Sequence, residues 1–267
     1  MLIQNFVIDK VRHGMGFDRA TGELKWHLTE IQNPTLGSAA ESKNCIGADG
    51  APIMTLFTSK TARFSAESAL LDFTLAAAQY GTEIEEASAD NQIPTPAVEE
   101  FVLAANQTTV TLAQTPVGEA GAELKYIYVP SPGAVAKKFV LGTAASATEF
   151  TFDTETKTIT LPTGLAAGTN ILVYYEYNAE SGARILNSAK NFPRSCKFVL
   201  DVLGHDICNK DTLYSAKVLF RNAQLSPNVD INLATDGNHP FELEAQQEYC
   251  SAEKGLFEIF IPDGDIA

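Results

Sequence analysis

The sequence predicts a mainly β fold with one flanking α-helix. Three observations carry that prediction. Thr21–Ile31 (TGELKWHLTEI) alternates polar and apolar residues, and Ile53–Phe64 (IMTLFTSKTARF) does so less strictly. Both show the two-residue period of a half-buried strand. The strongest helix signal is confined to Ala66–Tyr80. From Val98 onward, short runs rich in β-branched and aromatic residues are punctuated by Gly and Pro, as in a sandwich or barrel.

Met1–Asp9 reads as a short strand or arm, and Val11–Gly22 as a turn-rich stretch containing Gly14, Gly16 and Gly22. In the strand Thr21–Ile31, Leu24, Trp26 and Leu28 form the apolar face, with Trp26 in the core. Glu23, Lys25, His27 and Thr29 form the other face. Gln32–Pro52 contains Pro34, Gly37, Gly47 and Asp49-Gly50, which predicts a long inter-strand loop. Hairpins close in about two to five residues, so a loop of this length is functional or disordered. Lys43, Asn44 and Asp49 are its candidates for contact with a neighbour.

The helix 66–80 has an N-cap candidate in Ser65, an anion for its first turn in Glu67 and a stop at Gly81. Leu70, Leu71, Phe73 and Leu75 supply bulk, worth roughly 6–12 kcal/mol gross if all are buried, at ~1.5–3 each. A helix this short is expected to pack on a sheet.

Glu83–Pro96 reads as an acidic linker. Strands follow at Phe101–Leu103, Thr108–Leu112, Glu123–Val129, Lys137–Leu141, Glu149–Asp153, Thr156–Leu161 and Asn170–Asn178. Longer ones are expected at Cys196–Leu203, Thr212–Arg221, Val229–Leu233, Pro240–Tyr249 and Gly255–Ile261. In Phe241–Glu248, Phe241, Leu243 and Ala245 share one face. Glu242, Glu244, Gln246 and Glu248 share the other, which must be wet.

The chain has 267 residues, 45% of them hydrophobic, and a formal net charge of −14. That is enough apolar material for a buried core. Such an acidic chain is not built to hold DNA phosphates tightly. The charge is uneven: Glu83, Glu85, Glu86, Asp90, Glu99, Glu100, Glu119 and Glu123 occur with no Lys or Arg among them.

Met1–Lys10 lacks the basic start and apolar run of an export signal. Cys45, Cys196, Cys208 and Cys250 form no C-x-x-C pair, so free thiols in a reducing cytoplasm are expected. No apolar run approaches the roughly 20 residues of a membrane helix, so no membrane association is expected.

The sequence carries no phosphate-binding Gly loop, no G-x-S-x-G and no H-E-x-x-H. His205 and Cys208, near Asp206, form H-x-x-C without a second ligand pair at zinc-like spacing, so an ordinary turn is expected. Cys45 lacks a recognisable base, and His13 and His27 lie in strand or turn contexts. The sequence therefore predicts no catalytic residue, no metal and no cofactor.

Several segments together resemble the tail tube (major tail) proteins of long-tailed bacteriophages. They are the strand pair around Lys25–Trp26 and Leu56–Phe57 with its intervening loop, and the helix FSAESALLDFTLAAAQYG. The segments TKTITLPTGLAAGTNILVYYEYN and NAQLSPNVDINLATDGNHPFELEA extend the likeness.

The resemblance implies a tail-tube-type β-sandwich or barrel with one flanking helix, a long inter-strand loop and an extra β-module. Residues 1–96 and 181–267 would form the tube domain, and 97–180 an inserted or outward-facing module. Two hairpins from each of six subunits would close a barrel around a channel. Thr21–Ile31, Ile53–Phe64, Thr212–Arg221 and Pro240–Tyr249 would line it, and loop 32–52 would dock on the next ring. Glu242, Glu244 and Glu248 are the candidate lumen-facing residues. Six copies would carry 6 × −14 = −84 formal charges.

The implied partners are further copies in stacked homohexameric rings, the tape-measure, tail terminator and baseplate or tip proteins, and a sheath if the tail contracts. DNA would pass without tight binding. The implied location is the virion tail, after synthesis in the host bacterial cytoplasm. The competing reading is a β-sandwich binding module, a fibre, adhesin or carbohydrate-binding protein, suggested by Tyr174, Tyr175 and Tyr177. A hydrolase on a β scaffold has only abundant carboxylates in its favour.

Overall fold

Trp26 and Leu28 alternate with Lys25 and His27, and that alternation buries one face of a strand, with Trp26 against the rings of Phe198 and Phe241 from two other strands. A computed structural model describes residues 6–119, 121–131, 133–207, 209–235, 237–249 and 254–261. They form a mainly β protein of two compact units, divided at Ile84/Glu85 and Arg184/Ile185.

In chain order the first unit opens with β1 (Phe6–Asp18), β2 (Leu24–Leu28), β3 (Ile31–Ile46), β4 (Pro52–Ser68) and α1 (Phe73–Tyr80). The second unit holds β5 (Glu85–Glu86), β6 (Ile93–Val102), β7 (Thr109–Thr111), β8 (Tyr126–Ser131) and β9 (Ala134–Leu141). It continues with β10 (Glu149–Asp153), β11 (Thr158–Thr160), β12 (Asn170–Ala179) and β13 (Ala183–Arg184). The chain returns to the first unit with β14 (Ser195–Asp206), β15 (Asn209–Leu225), β16 (His239–Ala245) and β17 (Glu258–Phe260).

The first unit is one curled sheet in the order β2-β1-β14-β15-β16-β4-β3, with β17 also paired to β15. Curling brings Ile31 at the start of β3 over Gly14 of β1. Inside lie Trp26, Phe64, Phe198, Phe220 and Phe241, with Leu75 of α1. Trp26 stacks on Phe198 at 5.4 Å and meets Phe241 edge-on at 6.0 Å, both favourable arrangements. Gly16 is required here, because a Cβ on it would lie 2.1 Å from the Trp26 ring.

Helix α1 is tied to the sheet by polar groups. His239 Nε2 and Gln79 Oε1 are 2.7 Å apart, and Gln79 Nε2 donates to the Pro240 carbonyl at 3.1 Å. The Asp72 N–H donates to His239 Nδ1 at 3.4 Å. This places the proton on Nε2 and keeps the imidazole neutral. Burial accordingly lowers the His239 pKa below its ordinary 6.5, although Asp72 nearby opposes the shift.

The second unit is a seven-stranded sheet, β6-β12-β8-β9-β10-β11-β7, closed over Ile127, Phe139, Phe150, Ile159, Ile171 and Val173. The pair β5–β13 stands at its start and end, with Arg184 on Glu85 at 2.6 Å. The unit begins before residue 97 because the expected linker 83–96 contains β5 and the first four residues of β6, which pair along β12.

Several expectations are corrected. The expected loop 32–52 is mostly strand: β3 pairs with β4 from Ile31↔Ser68 to Ile46↔Pro52. Pro34 is tolerated because β3 is an edge strand and the register shifts between Gln32 and Thr35, where Asn33 has φ 50°. The expected strand 21–31 is therefore split into β2 and the start of β3. The turn-rich stretch 11–22 is largely β1, whose Gly14 and Gly16 make room for Ile31 and Trp26.

The helix begins at Phe73, not Ala66. Ala66–Ser68 belong to β4, paired with His239–Phe241 of β16. The cap is Asp72, which accepts from the Leu75 N–H at 2.7 Å. Glu67 instead accepts from Asn238 Nδ2 at 2.8 Å. Leu70, Leu71 and Phe73 are exposed and only Leu75 is buried, so the expected four-residue apolar face does not form. Gly81 ends the helix in the left-handed region, φ 66°. Val229–Leu233 is not a strand, and Leu24 is exposed.

Candidate functional site

The β3–β4 hairpin divides sharply along its length. At its root, Ala62, Phe64, Ala66 and Ser68 of β4 point inward and are buried. From Pro52 to Thr61 every residue of β4 is exposed, as are the facing residues of β3 from Ser38 to Ile46. This tip extends roughly 30 Å at ~3.4 Å per residue. Among the described residues nothing covers it.

The connection at the tip is tight. The Gly47 N–H donates to the Ala51 carbonyl at 2.9 Å, the Gly50 N–H returns to Gly47 at 3.0 Å, and Gly50 takes φ +80°. Asp49 sits exposed in this turn.

Register places apolar groups on both faces. Phe57 lies opposite Ser42 and Thr55 opposite Asn44, with Ile53 further along the same face. On the other face Met54 lies opposite Cys45, Leu56 opposite Lys43 and Thr58 opposite Glu41. Phe57 and Ile53 are 76% and 77% exposed. Lys43 and Asn44 thus sit on β3 and not in a loop, and Asn44 Oδ1 accepts from Thr55 Oγ1 at 2.9 Å. The apolar residues Ile46, Ile53, Met54, Leu56 and Phe57 went unnoticed as a surface in the sequence. Asp49-Gly50 between Ile46 and Ile53 is the hairpin signal that identifies them.

Glu242 and Glu244 lie on β16, and Glu248 lies beyond its end. The side chains of Glu242 and Glu244 point away from Phe241 and Leu243, which are buried. Glu242 Oε1 pairs with Arg63 Nη1 at 3.3 Å, so part of its charge is neutralised. Glu244 lies directly opposite Arg63 in register and is exposed.

A second charged group crosses β1, β14 and β15. Buried Asp201 receives Lys217 Nζ at 2.5 Å, Ser215 Oγ at 2.5 Å and Arg12 Nε at 3.2 Å. Burial works to raise the Asp201 pKa, but the Lys217 and Ser215 hydrogen bonds and the two cations bring it below the ordinary value. His13 and His27 approach to 2.9 Å beside this group. Partial burial is the main cause lowering the His13 pKa, followed by Arg12 and His27.

His205 Nδ1 lies 3.2 Å from the Thr212 carbonyl, and Cys208 lies outside the described residues. Among the described residues no group of three His, Cys, Asp or Glu side chains could hold a metal. Cys45 is exposed at the hairpin tip. Cys196 is buried, and burial pushes its thiol up to about 12, which leaves it in the unreactive thiol form. Among the described residues no helix is long and apolar enough to cross a membrane.

A curled β-sheet with a long bare hairpin and a second all-β unit define a β-rich protein of tube type. Residues 6–258 match the model of the YomU/Tube protein family, and the chain belongs to that family. This bears out the resemblance to phage tail tube proteins: the chain is a structural protein of the virion tail, in a family that is not one of enzymes. None of the curated protein sequences matches it.

Proposed function

We propose that this protein forms hexameric rings that stack into the tail tube, a negatively lined conduit through which DNA reaches the host. The observation that supports this most is the bare hairpin tip. Two strands with apolar side chains on both faces are poorly matched to water. Each large side chain covered by another copy would contribute about 1.5–3 kcal/mol. An exposed edge such as β3 is also a pairing template that sister copies can close. The tip docks on the next ring, with Lys43, Asn44 and Asp49 at its polar margin.

Glu242, Glu244 and Glu248 line the channel, Glu244 and Glu248 contributing most because Glu242 shares its charge with Arg63. Within a Debye length of about 8 Å at physiological salt, such carboxylates repel phosphates. The second unit, Glu85–Arg184, faces outward as an inserted module. Tape-measure, terminator and baseplate or tip proteins meet the tube, with a sheath if the tail contracts. The chain is made in the host bacterial cytoplasm.

Electron microscopy of the purified chain is the test. Rings and tubes are expected from the intact protein. Replacing residues 41–58 by a two-residue Asn-Gly turn is expected to leave a folded protomer that forms no tubes. Tubes of normal length from that variant would refute the docking role. Tube density placing Glu244 and Glu248 on the outer surface would refute the lining role.

A further inference from the structure

We infer that the second unit carries a binding cleft for an uncharged, polyhydroxylated ligand, a neutral oligosaccharide. The cleft lies at the end of the β6–β12 pair, where Asn178 stands opposite Pro94 and Ala179 opposite Ile93. Its volume is about 570 Å³, within the range of about 300–1,000 Å³ for small-molecule sites. Its walls carry Gln92, Gln114, Thr115, Tyr177, Asn178 and Glu180.

The lining selects the ligand by elimination. Among the described residues no Lys, Arg or His borders the cleft, and Glu180 does. A phosphate, a nucleic acid or an acidic sugar would meet a carboxylate with no cation to offset it. The apolar contribution is limited to Val117, Ala179 and the Tyr177 ring, too little for a lipid or a drug-like apolar group. What remains are three carboxamides, of which Gln92 already gives one N–H to Glu180, together with hydroxyls and the partly buried Tyr177 ring. Adjacent sugar hydroxyls donate and accept in the same way. The C–H face of a pyranose ring fits against an aromatic ring with a polar tip.

The cleft is held in shape from behind. Tyr175 donates its hydroxyl to Glu99 in a short hydrogen bond and accepts from the Gln114 N–H at 3.1 Å. Glu99 also accepts from the Ala113 N–H at 3.0 Å. Burial, and then the Glu99 hydrogen bond, raise the Tyr175 pKa to about 12, so the phenol stays a donor. The Val117 N–H donates to the Glu176 carbonyl at 2.8 Å. Segment 113–117 is thereby pinned to β12 at both ends. Within the lining, Gln92 Nε2 donates to Glu180 Oε1 at 2.8 Å, fixing the carboxylate. Lining groups held before the ligand arrives reduce the ordering cost of binding.

The test is saturation-transfer NMR of the full-length chain with maltotetraose, chitotetraose and tetragalacturonate as probes. Transfer to the ring C–H protons of at least one neutral probe is expected, and weaker transfer to the acidic one. Gln114→Ala and Asn178→Ala alter exposed side chains and are expected to keep the parent's circular dichroism. Each is expected to weaken binding about tenfold, the equivalent of ~1.4 kcal/mol. The proposal fails if neither neutral probe receives transfer at ~1 mM, if the acidic probe binds best, or if both variants bind like the parent. These readouts do not depend on tube formation.

Discussion

The two ends of β4 carry similar residues into opposite surroundings. At the root, Phe64 lies among Phe198 and Phe241 at centroid distances of 5.3 and 5.9 Å and is fully buried. Seven residues earlier, Phe57 has the same side chain on the same strand and is 76% exposed. Hydrophobicity alone therefore does not say which ring holds the protomer together. The root supplies part of the protomer's core, and the tip leaves its apolar side chains exposed.

The sharpest way to break this comparison is a pair of truncations. Phe64→Ala is expected to destabilise the first unit by about 3–5 kcal/mol, the cost of an emptied aromatic core site. Phe57→Ala is expected to change protomer stability by no more than about 0.5 kcal/mol. Denaturant unfolding under non-assembling conditions measures both. A Phe57→Ala cost approaching that of Phe64→Ala would show that the tip is packed within the protomer and erase the distinction.

A smaller effect tests where the root gives way to helix. Asp72→Ala removes the cap on the Leu75 N–H and is expected to cost about 1 kcal/mol. Ser65→Ala, near the end of β4, is expected to stay within about 0.5 kcal/mol. Thermal unfolding that ranks the two in reverse would move the helix start back toward residue 66.

The smallest effect is in pH. His239 has a lowered pKa in the folded state, so between that value and 6.5 the unfolded chain binds more protons. Its contribution is present above 6.5 and is lost as pH falls toward the folded value. The first unit is thus expected to unfold more readily at pH 5 than at pH 7, and His239→Gln to flatten that slope. An equal slope in the variant would assign the pH dependence to other groups, with His13 the next candidate because its pKa is also lowered. The tip has no such buried titrating group among its described residues, so its truncation should leave the slope unchanged.

Period-two patterning made much of this legible before any coordinates. Trp26, Leu28, Phe241 and Leu243 read as core from their alternation and are buried. Glu149–Asp153 reads as a strand with the bounds it has. Gly81 reads as a helix stop because only an unhindered residue takes φ +66° at low cost. The β3 strand was not legible, for the opposite reason. A strand bare on both faces has no buried side to impose alternation, so Asn, Ala, Ser and Gly there resemble a loop. The tyrosines of β12 are a similar case: only Tyr174 is exposed, while Tyr175 is buried and Tyr177 partly so. Adjacent residues on a strand face opposite ways.

By itself the sequence determined the β-rich class, a helix and its end, and the inward faces that carry Trp26 and Phe241, because each follows from local periodicity or one residue's backbone freedom. Only the tertiary structure decided that residues 32–46 are strand and that the helix waits until Phe73. Both depend on hydrogen bonds to segments distant in the chain: β4 extends β3 along the tip, and β16 holds Ala66–Ser68 in the sheet. Backbone groups take whichever partner the fold brings near, and that partner is not written in the neighbouring residues.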